Sequence, residues 1–406
     1  MYDFSEFSKY AENPIEEEDV VAERLEAHGK KVLKLNRGDP AVYFPTMKYM
    51  IDAYVRALRE GNTRYSDPMG IKPLREAVAS RYRRMYNTEA EADDVVITNG
   101  VSEALMFINS VLVNRNDKAV FFRPYYPLYI PDLKINGGNP IIERYSEERN
   151  WDIDTDSLER ALKKDLKSRK RLKYLVITNP NNPTGTVLEP SALKELIEIA
   201  KNHGMVLISD EIYDEITFNG ARYTSVSKLA EGIPHIILNG ASKDFDATGF
   251  RIGFAIIPGK DSVSKEMKRR IAEYAKLRLC VNTPAQYAVA EGINNVAEHN
   301  KGIRKLVAEI EKRINFAAKR INESRYMEVV QPRGAYYLFP KLDMRSLRFK
   351  DDREFVDRLL KEKSVQITRG SGFGEPGYVR IVGLPPKDIL ETALNRIEEF
   401  CKVHSR

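Results

Sequence analysis

The chain has 406 residues, 42% of them hydrophobic, which is enough for roughly two or three domains with substantial cores. Its 65 Lys and Arg against 59 Asp and Glu leave a thinly spread charge of +6, which gives no argument for nucleic-acid binding. Cys280 and Cys401 are the only cysteines, too few for a disulfide framework or a cysteine-based metal site, so a reducing, cytoplasmic setting is expected.

Met1 to Asp19 is polar and acid-rich, without the apolar segment of a signal peptide. No window approaches the roughly 18 consecutive apolar residues of a membrane span. Val95–Thr98 reads as a strand followed by a helix from Ser102 to Val113; Ala119–Phe122 and Pro140–Glu143 read as further strands. The basic stretch Lys163 to Lys173 reads as a solvated helix face. Tyr174–Thr178 leads through a Pro- and Asn-rich loop to a helix from Ser191 to His203. Val206–Ser209, Ile236–Leu238 and Phe254–Ile257 complete seven strands. Continuous β-branched runs between helices indicate strands buried on both faces, hence an α/β fold with a mostly parallel sheet flanked by helices. From about Asn300, long helical patterns with strand-like runs at Tyr336–Phe339 and Tyr378–Ile381 indicate a smaller α+β domain. The expected division is an N-terminal arm over 1–45 that joins the small domain, a large domain over 46–295, and the small domain over 296–406.

In such sheets, ligands bind just beyond the carboxyl ends of the strands. Gly100 to Ser102, Asn179 to Gly185, Asp210 to Tyr213 and Ser242–Lys243 all follow predicted strands, so four loops converge on one edge. Lys243, desolvated and with Arg251 nearby, is a candidate amine nucleophile. Asp210, ending an apolar strand, needs a partner for its charge, and a protonated pyridine nitrogen is one; a helix N-cap is the bland alternative. Tyr213 and Asn182 supply hydrogen bonds suited to a ring oxygen. Gly100, Val101 and Ser102 place free backbone N–H groups and a hydroxyl at a helix start, an anion cradle to which Arg251 adds a planar fork. Tyr126 could stack on an aromatic ring. In this order and spacing the residues are the parts needed to hold pyridoxal 5′-phosphate with Lys243 as its Schiff-base partner. The five histidines have neither metal-ligand spacing nor evident triad partners, and no phosphate-loop or dinucleotide motif is present.

Asn179-Pro-Asn-Asn-Pro-Thr-Gly185, Ser209-Asp-Glu-Ile-Tyr213, Asn239-Gly-Ala-Ser-Lys243 and Thr248-Gly-Phe-Arg251 together resemble the class I/II aminotransferases of pyridoxal-phosphate fold type I. The resemblance extends from Leu35-Asn-Arg-Gly-Asp-Pro40 through Tyr65-Ser-Asp-Pro-Met-Gly70 to Tyr378-Val-Arg380. It implies Lys243 as the cofactor-bound lysine and proton shuttle, Asp210 on the ring nitrogen, Tyr213 and Asn182 on the ring oxygen, and Tyr126 stacked. Gly100, Val101, Ser102, Ser242 and Arg251 would hold the phosphate. Tyr65 would reach the neighbouring subunit's phosphate in a homodimer with shared active sites, Arg380 would clamp the substrate α-carboxylate, and Gly38 would close over it.

The chain departs from the family pattern at three places. Gly240 stands where some members have a phosphate-binding serine, so Ser242 carries more. Leu277, beside Arg278, stands opposite the arginine of dicarboxylate-specific members. Glu16 follows Ile15 where many relatives carry an arginine. Within the family the chain is most similar to prokaryotic alanine aminotransferases, which implies amino-group exchange between alanine and 2-oxoglutarate. The alternatives are an aspartate or aromatic aminotransferase, or a C–S β-lyase using the same cofactor. A transcription-regulator homologue is disfavoured, because the residues before Leu35 are too few for a winged helix.

Overall fold

The computed structural model describes residues 5–11, 13, 18–165 and 171–406. The Ile15–Glu16 departure and the middle of the basic stretch lie outside the described residues. The elements that build the site are, in chain order, helices α1 (Lys48–Arg59) and α2 (Lys72–Tyr86), strand β1 (Val95–Asn99), helix α3 (Gly100–Leu112) and strands β2 (Lys118–Arg123), β3 (Asn139–Ser146), β4 (Asp152–Ile153) and β5 (Leu172–Thr178). Helix α4 (Pro190–Asn202) and strands β6 (Val206–Asp210), β7 (His235–Gly240) and β8 (Ile252–Ile256) follow. Then come helices α5 (Ser262–Arg278), α6 (Thr283–Asn294) and α7 (Val296–Asn322).

The main sheet has the order β1-β8-β7-β6-β5-β2-β3-β4. The run from β7 to β3 is parallel throughout, β8 is antiparallel to both its neighbours, and β4 is antiparallel to β3. The seven expected strands are all present, and the two residues of β4 extend the sheet to eight. Sequence periodicity could not reveal so short a strand. It exists because Asn150 and Trp151 take left-handed φ values of 56° and 61° and turn the chain back on β3. Trp151, 1% exposed and edge-on to Phe339 and Tyr378, anchors that reversal.

Strands β6, β7 and β8 are buried along their whole length. Alternate side chains enter opposite cores, as the two-residue strand period requires. Val95, Ile97, Leu207 and Ile237 pack toward α2 and α4, while Val96, Ile208, Ile236 and Leu238 pack toward α3 and α5. A separate core gathers Leu33 and Leu35 with α7 residues Leu306, Ile310 and Ile314 and the C-terminal Val379, Ile381 and Phe400. Leu33–Lys34 pairs in parallel with Val365–Gln366, which joins the N-terminal arm to the C-terminal part. On this ground we propose the division into 1–45, 46–295 and 296–406. Among the described residues, no helix is long and apolar enough to cross a membrane.

Gly240 pairs with Gly253 where β7 meets β8. A Cβ at Gly240 would lie 2.7 Å from the Ile252 carbonyl oxygen and 2.8 Å from Gly253 Cα, both rigid backbone atoms. The absence of a serine there is therefore a packing requirement of this sheet. Gly240→Ser is expected to lower stability by about 1–3 kcal/mol, read as a lower denaturant midpoint at unchanged slope.

Candidate active site

The carboxyl edges of β5, β6 and β7, the start of α3, and residues Arg37 to Asp39 of the N-terminal arm enclose a cavity of about 310 Å³. Its lining includes Gly38, Val101, Ser102, Tyr126, Asn182, Asp210, Tyr213, Ser242, Lys243, Arg251 and Arg380. Every expected site residue but two is thus brought to one place. Gly100 lies directly behind the wall. Tyr65 is outside this cavity, 81% exposed.

Lys243 projects from the turn after β7, and its Nζ donates to the Gly38 carbonyl at 2.7 Å. Burial pushes its pKa down to about 8, opposed by Asp39 and Asp210 and assisted by Arg380 and Arg251. Asp210 ends β6, 4% exposed. Burial raises its pKa to about 6, against a hydrogen bond from Tyr129, the Ile212 N–H and the charge of Lys243. Its Oδ2 accepts from the Tyr129 hydroxyl at 2.7 Å, and its Oδ1 from the Ile212 N–H at 3.3 Å. The capping role and the cavity-facing role therefore coexist.

Arg380 is 2% exposed and clamped between the Tyr337 and Phe373 rings, 4.7 Å from each centroid. Nη1 donates to Asn182 Oδ1 at 3.0 Å and Nη2 to the Asn36 carbonyl at 2.5 Å. Its buried Nε has no hydrogen-bond partner, a vacancy suited to an anion. Since Asn182 Oδ1 is taken by Arg380, its Nδ2 is the group left for a ligand. Tyr213 OH shares a hydrogen bond of 2.8 Å with Tyr337 OH.

At the start of α3, Gly100 has φ +75°, and a Cβ there would overlap the Arg251 guanidinium. The glycine lets Arg251 lie over the helix N-terminus, where backbone N–H groups point outward. Arg251 Nη1 donates to the Thr248 carbonyl at 3.0 Å, and Thr248 Oγ1 donates to Asp39 Oδ1 at 2.8 Å.

Several contributors escaped sequence reading. Tyr129 and Thr178, 2.7 Å apart, flank Asp210. Tyr336 donates to the Gly38 carbonyl at 3.0 Å. Tyr336, Tyr337 and Tyr129 carried no signal beyond apolar periodicity, whereas Asp39 and Thr248 sit inside motifs already singled out. Among the described residues no cluster of His, Cys, Asp and Glu could hold a metal ion.

Residues 30–397 match the family of class I and II aminotransferases. The chain is 32% identical over 388 residues to the aspartate aminotransferase of Bacillus subtilis, covering 95% of each chain. It is 33% identical over 382 residues to the glutamate–pyruvate aminotransferase AlaA of Escherichia coli, covering 93% of this chain and 92% of the relative. An alanine aminotransferase structure from Pyrococcus furiosus superposes with a TM-score of 0.93 at 35% identity, over 99% of this chain and all of that one.

The family works with pyridoxal 5′-phosphate, and this site fits it in three respects. Asp210 is a buried carboxylate in want of a cation, Gly100 opens an anion cradle beside Arg251, and Lys243 is an amine with a lowered pKa. The chain belongs to the class I and II aminotransferases.

Proposed function

We propose that the protein transfers amino groups between alanine and 2-oxoglutarate, one substrate after the other, in a single site organised by Lys243 and Arg380. The observation that carries this reading is the buried Arg380 with its unpartnered Nε, on the same cavity as the depressed Lys243 amine. When bound, pyridoxal phosphate supplies an aldehyde for the amino group and a ring that spreads the negative charge left on the substrate Cα. Asp210 holds the ring nitrogen protonated, Tyr213 and Asn182 Nδ2 bind the ring oxygen, and Tyr126 covers the ring face. Gly100, Val101, Ser102, Ser242 and Arg251 hold the phosphate. Arg380 would fix the α-carboxylate, Gly38 would roof it, and Lys243 Nζ would take the Cα proton from the amino acid in one half-reaction and deliver a proton to Cα of the keto acid in the other.

Two features favour alanine over aspartate as donor. Leu277 is 80% exposed and apolar. Its neighbour Arg278 is turned inward, donating to the Pro68 and Ile97 carbonyls at 3.1 Å each. Arg37, ion-paired with Asp19 at the cavity wall, is the cation a distal carboxylate of 2-oxoglutarate would reach. A homodimer is supported by exposed Tyr65, Leu277, Leu279 and Met106. The 64–68 segment is tied to the α5–α6 junction through Thr283 and Arg278. A cytoplasmic setting is supported by two unpaired cysteines.

The test is the absorption spectrum of the holoenzyme with alanine and no keto acid. Conversion of the cofactor from its aldehyde to its amine form is expected; no conversion would eliminate alanine as donor. Because both substrates need Arg380, double-reciprocal plots should be parallel, and intersecting lines would refute the sequential use of one site. Capture of pyridoxal phosphate by apoenzyme requires the neutral Lys243 amine, so its rate should rise with pH and level off above about 8. Arg37→Met should raise KM for 2-oxoglutarate about two- to five-fold, the modest effect of a solvent-exposed charge. KM for alanine should stay unchanged.

A further inference from the structure

Behind the cavity floor lies a buried ionic cluster whose members none of the roles proposed above includes. Arg81, from α2, places Nη2 2.9 Å from Asp214, 2.8 Å from Glu215 and 3.5 Å from Asp244. Asp214 also accepts from the Tyr86 hydroxyl at 2.5 Å and from Asn239 Nδ2 at 2.9 Å. His299 of α7 meets Glu215 at 2.6 Å and stacks on Phe245 at 4.3 Å between centroids. Arg81, Asp214 and Asp244 are all at most 3% exposed.

Asp214 immediately follows Tyr213, and Asp244 immediately follows Lys243. Both carboxyl groups converge on the same Arg81 Nη2, with an oxygen of Asp214 at 2.9 Å and one of Asp244 at 3.5 Å, which makes them hydrogen-bonding neighbours of each other. Neither oxygen of Asp244 accepts a hydrogen bond. A buried carboxyl that accepts nothing while touching a second carboxyl is a donor, because two such groups in contact cannot both ionise. The proton belongs on Asp244, since Asp214 accepts from Arg81, Tyr86 and Asn239.

We propose that Asp244 is a protonated acid whose hydroxyl donates to Asp214, and that this shared proton ties the Lys243 turn to the Tyr213 turn, making both aspartates positioning residues for amino-group transfer. The positioning role rests on Lys243 and Tyr213 acting as proposed above; the protonation does not. The groups facing the pair are Arg81, Tyr82 and Tyr86 from α2, Glu211 and Glu215 from the segment after β6, Asn239 from β7, Tyr223, and His299 from α7. Burial and the charge of Asp214 push Asp244 well above the usual carboxylate range; burial also acts on Asp214, but Arg81 and its donors hold it low. An acid whose folded pKa is raised keeps a proton that the unfolded chain gives up. Its contribution to stability therefore falls as pH rises from the unfolded pKa toward the folded one.

The test uses the holoenzyme. Infrared difference spectra of wild type against Asp244→Asn at about pH 9 should show a protonated-carboxyl C=O band lost in the variant. Asp210, Glu211 and Asp246, raised only to about 6, 7 and 7, are ionised there. Absence of such a band overturns the proposal. In thermal melting at pH 8, Asp244→Asn should equal or exceed wild type, because its amide N–H replaces the donor. Asp214→Asn, which takes a charge from Arg81, should melt lower. An Asp244→Asn protein that melts as low as Asp214→Asn, or fails to fold, makes Asp244 an ionised partner of Arg81 and refutes the assignment. For the positioning role, Asp244→Asn should keep kcat and the pH midpoint of the bound cofactor's absorbance. Asp244→Ala, which removes the donor, should shift that midpoint and lower kcat roughly 10- to 100-fold with KM little changed. An alanine variant matching wild type in both overturns positioning, whatever the infrared result.

Discussion

Lys243 leaves the turn after β7 and buries its amine against the Gly38 carbonyl, and the desolvation of that amine sets the terms for the groups around it. An ammonium taken out of water is disfavoured, and so is a carboxylate. Lys243 and Asp210 share one dry floor and are each displaced toward neutrality, one to about 8 and the other to about 6. Two groups drawn together in pKa by the same burial are suited to the complementary work proposed for them near neutral pH, one as a base and the other as the counter-charge of a protonated ring. Arg251 and Arg380 help by keeping positive charge close to the amine, and both do so as planar cations fixed by other contacts.

The same edge of the sheet is also a place of unusually close backbone packing. Gly240 lets β7 approach β8, Gly253 lets β8 approach the first residues of α3, and Gly100 lets Arg251 lie over that helix start. Adding a methyl group at any of the three would push the β7 turn, the anion cradle or the guanidinium out of line. The glycine at position 240 is thus bound up with how tightly β7 packs on β8, and Ser242, two residues later, lines the cavity.

Much of this was legible in the chain because chemistry and fold used the same residues. Strands β5, β6 and β7 announce themselves as β-branched runs, and the motifs that follow them must converge if the strands are parallel and adjacent. What periodicity could not supply was everything contributed across the sequence. Tyr129 reaches Asp210 from 81 residues away, Tyr337 reaches Tyr213 from 124 and Tyr336 reaches Gly38 from 298. Their apolar neighbours made them look like core, and core is where their rings do lie. Their hydroxyl ends reach the site, and the Tyr337 ring also packs on Arg380. β4 was invisible for a different reason: two residues held by a left-handed turn and one tryptophan carry no period at all.

Tyr337 also joins the two ends of the cavity that the proposed reaction would use for the carboxylate and for the proton. Its ring lies 4.7 Å from the Arg380 guanidinium, and its hydroxyl bonds Tyr213. The positive charge of Arg380 lowers the pKa of Tyr213 and of Lys243, although burial is the larger influence on both. On the proposed reading, a substrate carboxylate bound to Arg380 would offset that charge, relieve part of the lowering and make the Lys243 amine a stronger base. By linkage the reverse must hold with the same free energy: a protonated amine at Lys243 tightens the hold on the carboxylate.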